Sequence, residues 1–421
     1  MTRVMPHPGV YRTWLILNGG TSLVFSMIVT ANLIYQVEVA RLNPLQLTLV
    51  GTVLEATAFV CQVPTGALAD AWSRRGAIIL GVFLTGAGFF VEGLFPHFGV
   101  ILLAQVISGA GVTLMDGADA AWIAGELGEE QTTHAFLRGS QVGQITGVIG
   151  VIAGAALGSL RINAPVVLGG ALDMLLALAL LWLMPRERSY RRITGGSPKR
   201  ITWRAIGATM REGYRAARRD RVLLLLLAVA LCFGMASEGY DRLWTPHLLE
   251  NFQFPSFITL KPVVWLAAIG LAGTPLTFAT TELVRRHFAA GSAKTLPRVL
   301  LLLTALRIVS VAAVGLAGSF AFVALASWGA SISRNVAEPV YRAWLTRASD
   351  TRVRATVLSL SGQMDALGQI AGGPVIGAVG TFASLRAAIA LSAAALLPSL
   401  PLFARHTPET VSEPVSVVTG E

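Results

Sequence analysis

Apolar residues fall along the chain in runs of about 20 or more, long enough for a helix to cross the roughly 30 Å hydrocarbon core of a bilayer. The runs cover residues 11–37, 45–69, 75–95, 99–124, 136–160 and 164–184, then 221–247, 262–284, 297–317, 320–346, 354–380 and 382–403. Backbone polar groups in lipid must be satisfied internally, and runs this long do so as helices. The pattern predicts an all-α membrane protein with twelve transmembrane helices, six on each side of a polar break. An even number places both termini on one side.

Within the break at 185–220, Gly195, Gly196, Ser197 and Pro198 mark a flexible stretch. Beyond it Trp203, Ile206, Met210, Tyr214 and Ala217 recur at helical spacing, with Arg204, Arg211, Arg215, Arg218 and Arg219 around them. That predicts an amphipathic helix lying on the membrane surface. The organisation is therefore a bundle at 1–184, a linker at 185–220, a second bundle at 221–403 and a tail at 404–421.

Composition agrees. Of 421 residues 54% are hydrophobic and 13% charged, against about 25% charged in soluble domains. This excludes a soluble enzyme or a disordered chain. The net charge of +10 sits in the loops rather than on a foldable polar segment, so it does not point to nucleic acid. With the N-terminus inside, 25 of the 33 Lys and Arg lie on the inner side and four outside (Arg41, Arg161, Lys261, Arg386). By the positive-inside rule both termini are cytoplasmic. Thirty of the basic residues are Arg, the codon bias of a GC-rich genome, which points to a bacterial plasma membrane. Cys61 and Cys232 lie within apolar runs and suggest neither a disulfide nor a metal site. The first apolar run is too long for a cleaved signal sequence. All six His fall in loops or near the ends of runs, so no buried His relay is expected. No Walker motif, nucleophile elbow, dinucleotide fingerprint or metal-ligand spacing stands out, so neither an enzyme nor a cofactor is expected.

The halves echo each other. Asp116 to Trp122 matches Glu338 to Trp344, and Gly147, Gly150, Gly154 and Gly158 match Gly368, Gly372, Gly373 and Gly377. Duplicated bundles are a transporter architecture, with the substrate bound between them near the midplane.

The loop after the second run carries Gly66, Leu68, Asp70, Arg74, Arg75 and Gly76, with Ser73 at a usual glycine position and Ala71 at a common Arg position. It resembles the hallmark loop of the major facilitator superfamily, G-x-L-a-D-r-x-G-R-[RK]. Glu282, Arg285 and Arg286 form a remnant of it in the second half. Gly66 predicts close helix approach. Asp70 could face a helix N-terminus. Arg74 and Arg75 can pair with carboxylates, Glu126 being the candidate partner; the resemblance implies that this cluster latches the outward-facing state. The fifth run, with Gly150, Gly154 and Gly158, resembles the family's antiporter motif G-x-x-x-G-P-x-x-G-G, but Ala155 and Ser159 depart from it. Gly372, Gly373 and Pro374 in the eleventh run are closer to the motif but lie in the other half. Gly109 fits a family proton-relay pattern, but Gln105 stands where its Arg belongs, so that assignment does not transfer.

An ionisable residue at mid-membrane costs roughly 2.5–3.5 kcal/mol on insertion scales and is a functional candidate by default. The resemblance implies that runs one, four, seven and ten line the cavity and that two, five, eight and eleven join the halves. Asp119, Glu238, Asp241, Arg334 and Glu338, with the aromatic Phe25, Tyr240 and Trp328, are then cavity candidates. Asp116 and Asp119, three apart, share a helical face. Glu238 with Arg242, and Arg334 with Glu338, are spaced to pair within their helices. Glu55 and Asp365 have no basic in-helix neighbour; with Asp116 they are the candidate proton carriers, while Asp173 and Arg307 are assigned to structure. The resemblance is nearest to bacterial macrolide- and tetracycline-efflux members. It implies a monomer among membrane lipids that exports small amphiphilic compounds by proton antiport and alternating access. A proton-coupled importer of a small metabolite, with the charges of runs seven and ten binding an ionic solute, is the second expectation. A non-transporting sensor or assembly factor is the third.

Overall fold

The computed structural model describes residues 8–71, 73–127, 129–185, 220–256, 258–289, 295–350 and 354–405. The expected amphipathic helix at 201–219 lies outside the described residues. The first half forms α1 (Pro8–Glu38), α2 (Pro44–Ala71), α3 (Arg74–Leu94), α4 (Phe98–Met115), α5 (Ala118–Leu127), α6 (Glu129–Leu160) and α7 (Ala164–Leu183). The second forms α8 (Arg221–Asn251), α9 (Pro262–Ala289), α10 (Leu296–Leu316), α11 (Phe320–Ala348), α12 (Arg354–Phe382), α13 (Leu385–Ala395) and α14 (Ser399–Ala404). Ten segments among the described residues are helical, long and apolar enough to cross a membrane. Each of α11 and α12 has 29 residues, about 43 Å at the α-helical rise, but neither is among those ten.

Local sequence sets the helix ends. Asn43 and Gln46 exchange backbone and side-chain hydrogen bonds at 2.9 and 3.0 Å before α2, a capping box with Pro44 at the first helical position. Ser73 Oγ accepts from Gly76 N at 3.0 Å and caps α3, a bond that glycine at this position could not make. Asp220, Ser319 and Ser384 cap α8, α11 and α13 in the same way.

The fourth run is not one helix. Asp116 ends α4 in an extended conformation, and Gly117 takes φ +78°, which glycine adopts without strain. The expectation that Asp116 and Asp119 share a helical face is therefore corrected. Asp116 is exposed at the break, whereas Asp119 lies in the first turn of α5 and accepts from Ala120 N at 2.6 Å. The twelfth run also breaks, at Leu396–Pro398, where α14 begins.

Packing repeats between the halves. α1 packs on α6 and α7, α3 on α4 and α7, and α2 on α4; α8 packs on α12 and α13, α10 on α11 and α13, and α9 on α11 in the same roles. Glycines permit the closest approaches. A Cβ at Gly150 would strike the Leu23 carbonyl of α1, and one at Gly154 would stand 2.5 Å from the Met27 carbonyl. Gly368 and Gly372 press on the backbone of α8 at Leu231 and Met235. Trp14 and Trp122 are both 2% exposed in the core; Trp14 Nε1 donates to the Ala135 carbonyl at 2.9 Å. His247, near the end of α8, is fully buried and bonds the Val314 carbonyl at 3.0 Å.

The halves meet through α2 with α12 and α8, and through α6 with α9. One apolar cluster runs through both halves, and all its members lie at the end of the molecule bearing the α1–α2 turn, among them Ile34, Leu47, Val50, Leu243, Val263, Val314 and Ile376. At the opposite end, bearing the α2–α3 turn, the core divides into two clusters, one wholly in the first half and one wholly in the second. Along α2, Leu45 N donates to Thr381 Oγ1 at 2.9 Å, and Gln62 meets Gln363 at 3.3 Å. Past this point Gly66 has nothing within 4 Å of a Cβ position, so the close approach expected there is absent in this conformation. The molecule is closed at the α1–α2 end and parted at the α2–α3 end.

Candidate functional site

Between α8, α10 and α11 lies a cavity of about 150 Å³, lined by Tyr240, Asp241, Arg307, Val311, Ala330, Ser331, Arg334 and Asn335. Arg334 Nη1 donates to both oxygens of Asp241, at 2.7 and 2.6 Å. Both side chains are 42% exposed. The expected Arg334–Glu338 pair does not form; Glu338 accepts from Arg342 at 2.8 Å in an exposed pair. Arg307 is 6% exposed, and its guanidinium stands 5.6 Å from the Phe233 ring centre, a cation–π contact. Among the described residues no carboxylate lies within ion-pair distance of it. Asp241 offsets one of the two guanidinium charges, so the cavity keeps one net positive charge. Arg307 was assigned to structure; the fold places it on the cavity wall. Of the aromatic candidates, Tyr240 lines the cavity, Phe25 is 57% exposed on α1, and Trp328 Nε1 donates to the Ile269 carbonyl at 2.8 Å, joining α11 to α9.

A second group of charges spans the join between the halves. Glu238 accepts from Arg242 Nε at 3.0 Å, the expected intrahelical pair, and is 4% exposed. It lies against Gly51 of α2, whose Cβ position would coincide with the carboxylate. Thr48 and Thr52 of α2 receive Gly377 and Gly373 of α12. Glu55, one turn further along α2, is within electrostatic reach of Glu238, Arg242 and Asp365. Asp365 accepts from Gln369 at 2.9 Å. The fold thus gathers Glu55, Glu238, Arg242 and Asp365, from three helices, where the halves meet. Asp116 and Asp119 stay apart from them.

At the α2–α3 turn Asp70 lies in the last turn of α2. Arg74 crosses to α5, donating to the Ala121 carbonyl at 2.9 Å and standing 3.7 Å from the Cβ position of Gly125, next to Glu126. Arg75 donates to the Met184 and Leu181 carbonyls at 3.0 and 2.5 Å, capping the C-terminus of α7. Pro374 lies inside α12 beside Gly372 and Gly373, and the helix runs on through it.

One buried carboxylate escaped sequence analysis. Glu92, near the end of α3, is fully buried and accepts from Gln36 Nε2 and Gln105 Nε2, each at 2.7 Å. Its signal was three carboxamides, Asn32, Gln36 and Gln105, set within apolar runs without polar neighbours to explain them.

The sequence profile of the Major Facilitator Superfamily matches residues 15–333. The chain is 22% identical over 366 residues to an uncharacterized MFS-type transporter, YxaM, of Bacillus subtilis (strain 168), covering 85% of this chain and 86% of the relative. Among solved structures it resembles the nucleoside transporter NupG (TM-score 0.71, 14% identity, 94% of this chain and 98% of that one). It also resembles a peptide transporter POT in complex with sulfate (TM-score 0.74, 14% identity, 95% of each chain). A third is a bacterial homologue of the human lysosomal transporter Spinster, in an inward-facing and unoccupied conformation (TM-score 0.68, 17% identity, 96% of each chain). These likenesses show a shared fold. On the extent of the profile match, the chain is an integral, multi-pass membrane transporter belonging to the Major Facilitator Superfamily.

Proposed function

We propose that this chain is a secondary active transporter that moves a small organic anion by alternating access, coupled to protons. The observation that carries the reading is the Arg307 guanidinium, buried on the wall of a small cavity with no carboxylate in ion-pair distance among the described residues. A buried unpaired charge is costly, and a carboxylate or phosphate entering the cavity relieves that cost with a charge-assisted hydrogen bond. Arg334, held by Asp241, offers a second guanidinium, and Ser331, Asn335 and Tyr240 offer polar groups. The cavity is small beside the ~300–1,000 Å³ of drug-sized sites, which favours an ionic head group.

In this reading α11 and α12 also cross the membrane, giving twelve spans in two bundles at 1–184 and 221–403. Both termini are cytoplasmic and the membrane is a bacterial plasma membrane. The chain works as a monomer. The parted α2–α3 end then faces the cytoplasm, so the conformation is inward-open. Glu55 and Asp365 exchange protons at the join, and Asp70, Arg74, Arg75 and Glu126 latch the outward-open state. Export of amphiphilic compounds by proton antiport is the second reading, favoured by the exposed Phe25 and by the glycines of α6.

The test is flux in proteoliposomes containing a pH dye, challenged with small carboxylates, phosphate esters and amphiphilic cations. Anion-dependent proton movement that is lost in Arg307→Gln is expected. Proton movement with amphiphilic cations alone, unchanged in Arg307→Gln, sinks the anion reading in favour of export.

A further inference from the structure

Glu92 is remote from the Arg307 cavity and plays no part in the reading above. Its carboxylate is sealed between three helices. Gln36 of α1 and Gln105 of α4 each bond one oxygen at 2.7 Å, and the Asn32 side chain reaches the same carboxylate. The Tyr35 hydroxyl donates to the Glu92 backbone carbonyl at 2.6 Å. Residues of the apolar cluster that closes this end, Ile34 and Ile101, lie beside Gln36 and near Gln105 in the sequence. All three carboxamides are buried, at 8%, 0% and 3% exposure for Asn32, Gln36 and Gln105.

Two observations show that the cluster is incomplete. Among the described residues, Asn32 Oδ1 and Gln36 Oε1 are buried without a hydrogen-bond partner. A buried oxygen left without a donor destabilises the fold. In addition, no basic side chain pairs with Glu92 among the described residues. The basic group within electrostatic reach is Arg242, across the join between the halves, and it is bound to Glu238. One negative charge and spare hard oxygen acceptors are what an oxygen-coordinated cation needs. A half-turn of each carboxamide exchanges its NH₂ for its oxygen. Asn32, Gln36 and Gln105 would then present three oxygens beside the two of Glu92. A single carboxylate balances a single charge; a divalent ion would leave a net buried charge.

We propose that Glu92, Asn32, Gln36 and Gln105 form a sodium site in the first half of the transporter, occupied when Arg242 moves away. Arg242 and Glu238 rest on Gly51 in the closed arrangement. Parting of the halves at this end withdraws the Arg242 charge and leaves Glu92 to take the ion.

The test is binding of radioactive sodium to the purified full-length protein in detergent, in choline-balanced buffer without substrate. Its failure therefore leaves the anion reading untouched. Saturable binding at a single site is expected in the wild type or, if Arg242 holds the site empty, in Glu238→Gln/Arg242→Gln, which keeps the net charge. Within whichever background binds, Glu92→Gln abolishes binding and Gln105→Leu weakens it at least about tenfold. Asp173→Asn, which alters a buried carboxylate elsewhere, leaves it unchanged. Each variant is compared only after size exclusion and circular dichroism show it folded. Absence of saturable sodium binding in both the wild type and the charge-balanced double variant overturns the proposal. So does binding that survives Glu92→Gln.

Discussion

Arg334 gives its Nη1 to both oxygens of Asp241, 93 positions away on another helix, while Glu338, one turn along its own helix, pairs with Arg342. The choice ties α11 to α8 beside the cavity and leaves Glu338 and Arg342 as an exposed pair. At 42% exposure of each side chain, solvent screening keeps the pair's contribution to stability near or below about 1 kcal/mol. Asp241→Asn is thus expected to shift thermal unfolding little. It frees the Arg334 guanidinium and misaligns the cavity, so substrate flux falls by at least about tenfold, a loss of roughly 1.4 kcal/mol of binding. Unfolding and flux measured on one preparation check this; a large loss of stability with flux intact contradicts it.

Gly51 has no room for a side chain, because its Cβ position falls on the Glu238 carboxylate. Gly51→Leu is expected to wedge the α1–α2 end apart. The paired variant Leu45→Cys/Thr381→Cys reports on closure, since the native residues meet there at 2.9 Å. Oxidation should cross-link it readily with Gly51 present and poorly with Gly51→Leu. Equal cross-linking in both backgrounds contradicts the wedge.

Arg75 satisfies two carbonyls at the C-terminus of α7. Arg75→Ala removes both bonds and a cation from a helix C-terminus, together worth about 1–3 kcal/mol. Arg75→Lys keeps the charge but not the paired geometry and is expected to fall between. Thermal unfolding of the three proteins gives the order.

Glu55 and Asp365 are proposed to exchange protons, so Glu55→Gln and Asp365→Asn should uncouple flux from an imposed proton gradient while sparing substrate exchange at equal concentrations. A variant that loses exchange as well as coupling assigns that residue to substrate binding instead.

Glycine and serine positions illustrate what was legible beforehand. Gly66, Asp70, Arg74 and Arg75 pointed to the superfamily because a turn between helices is local and its residues adjoin in sequence. The caps made by Asn43 with Gln46, and by Ser73, also act within one turn, but they went unread because Ser73 showed only as a departure from the family's glycine. The break at Gly117 was missed because a single positive φ leaves the apolar run on both sides intact.

Side-chain partners across helices were not legible. Arg334 reads equally well as a partner of Glu338 one turn away or of Asp241 on another helix, and only the packing of α11 on α8 decides. Glu92 passed unnoticed because its three carboxamide partners come from two other helices, and Arg307 looked structural because its run, the ninth, is not among those that the resemblance sets around the cavity. Sequence alone determined that the chain is a stack of membrane helices in two related halves, since the lengths and periods of its apolar runs are properties of single segments. That Arg334 meets Asp241, and which end of the molecule is closed, was decided by tertiary structure, because residues 93 positions apart come within 3 Å of each other only through helix-on-helix packing.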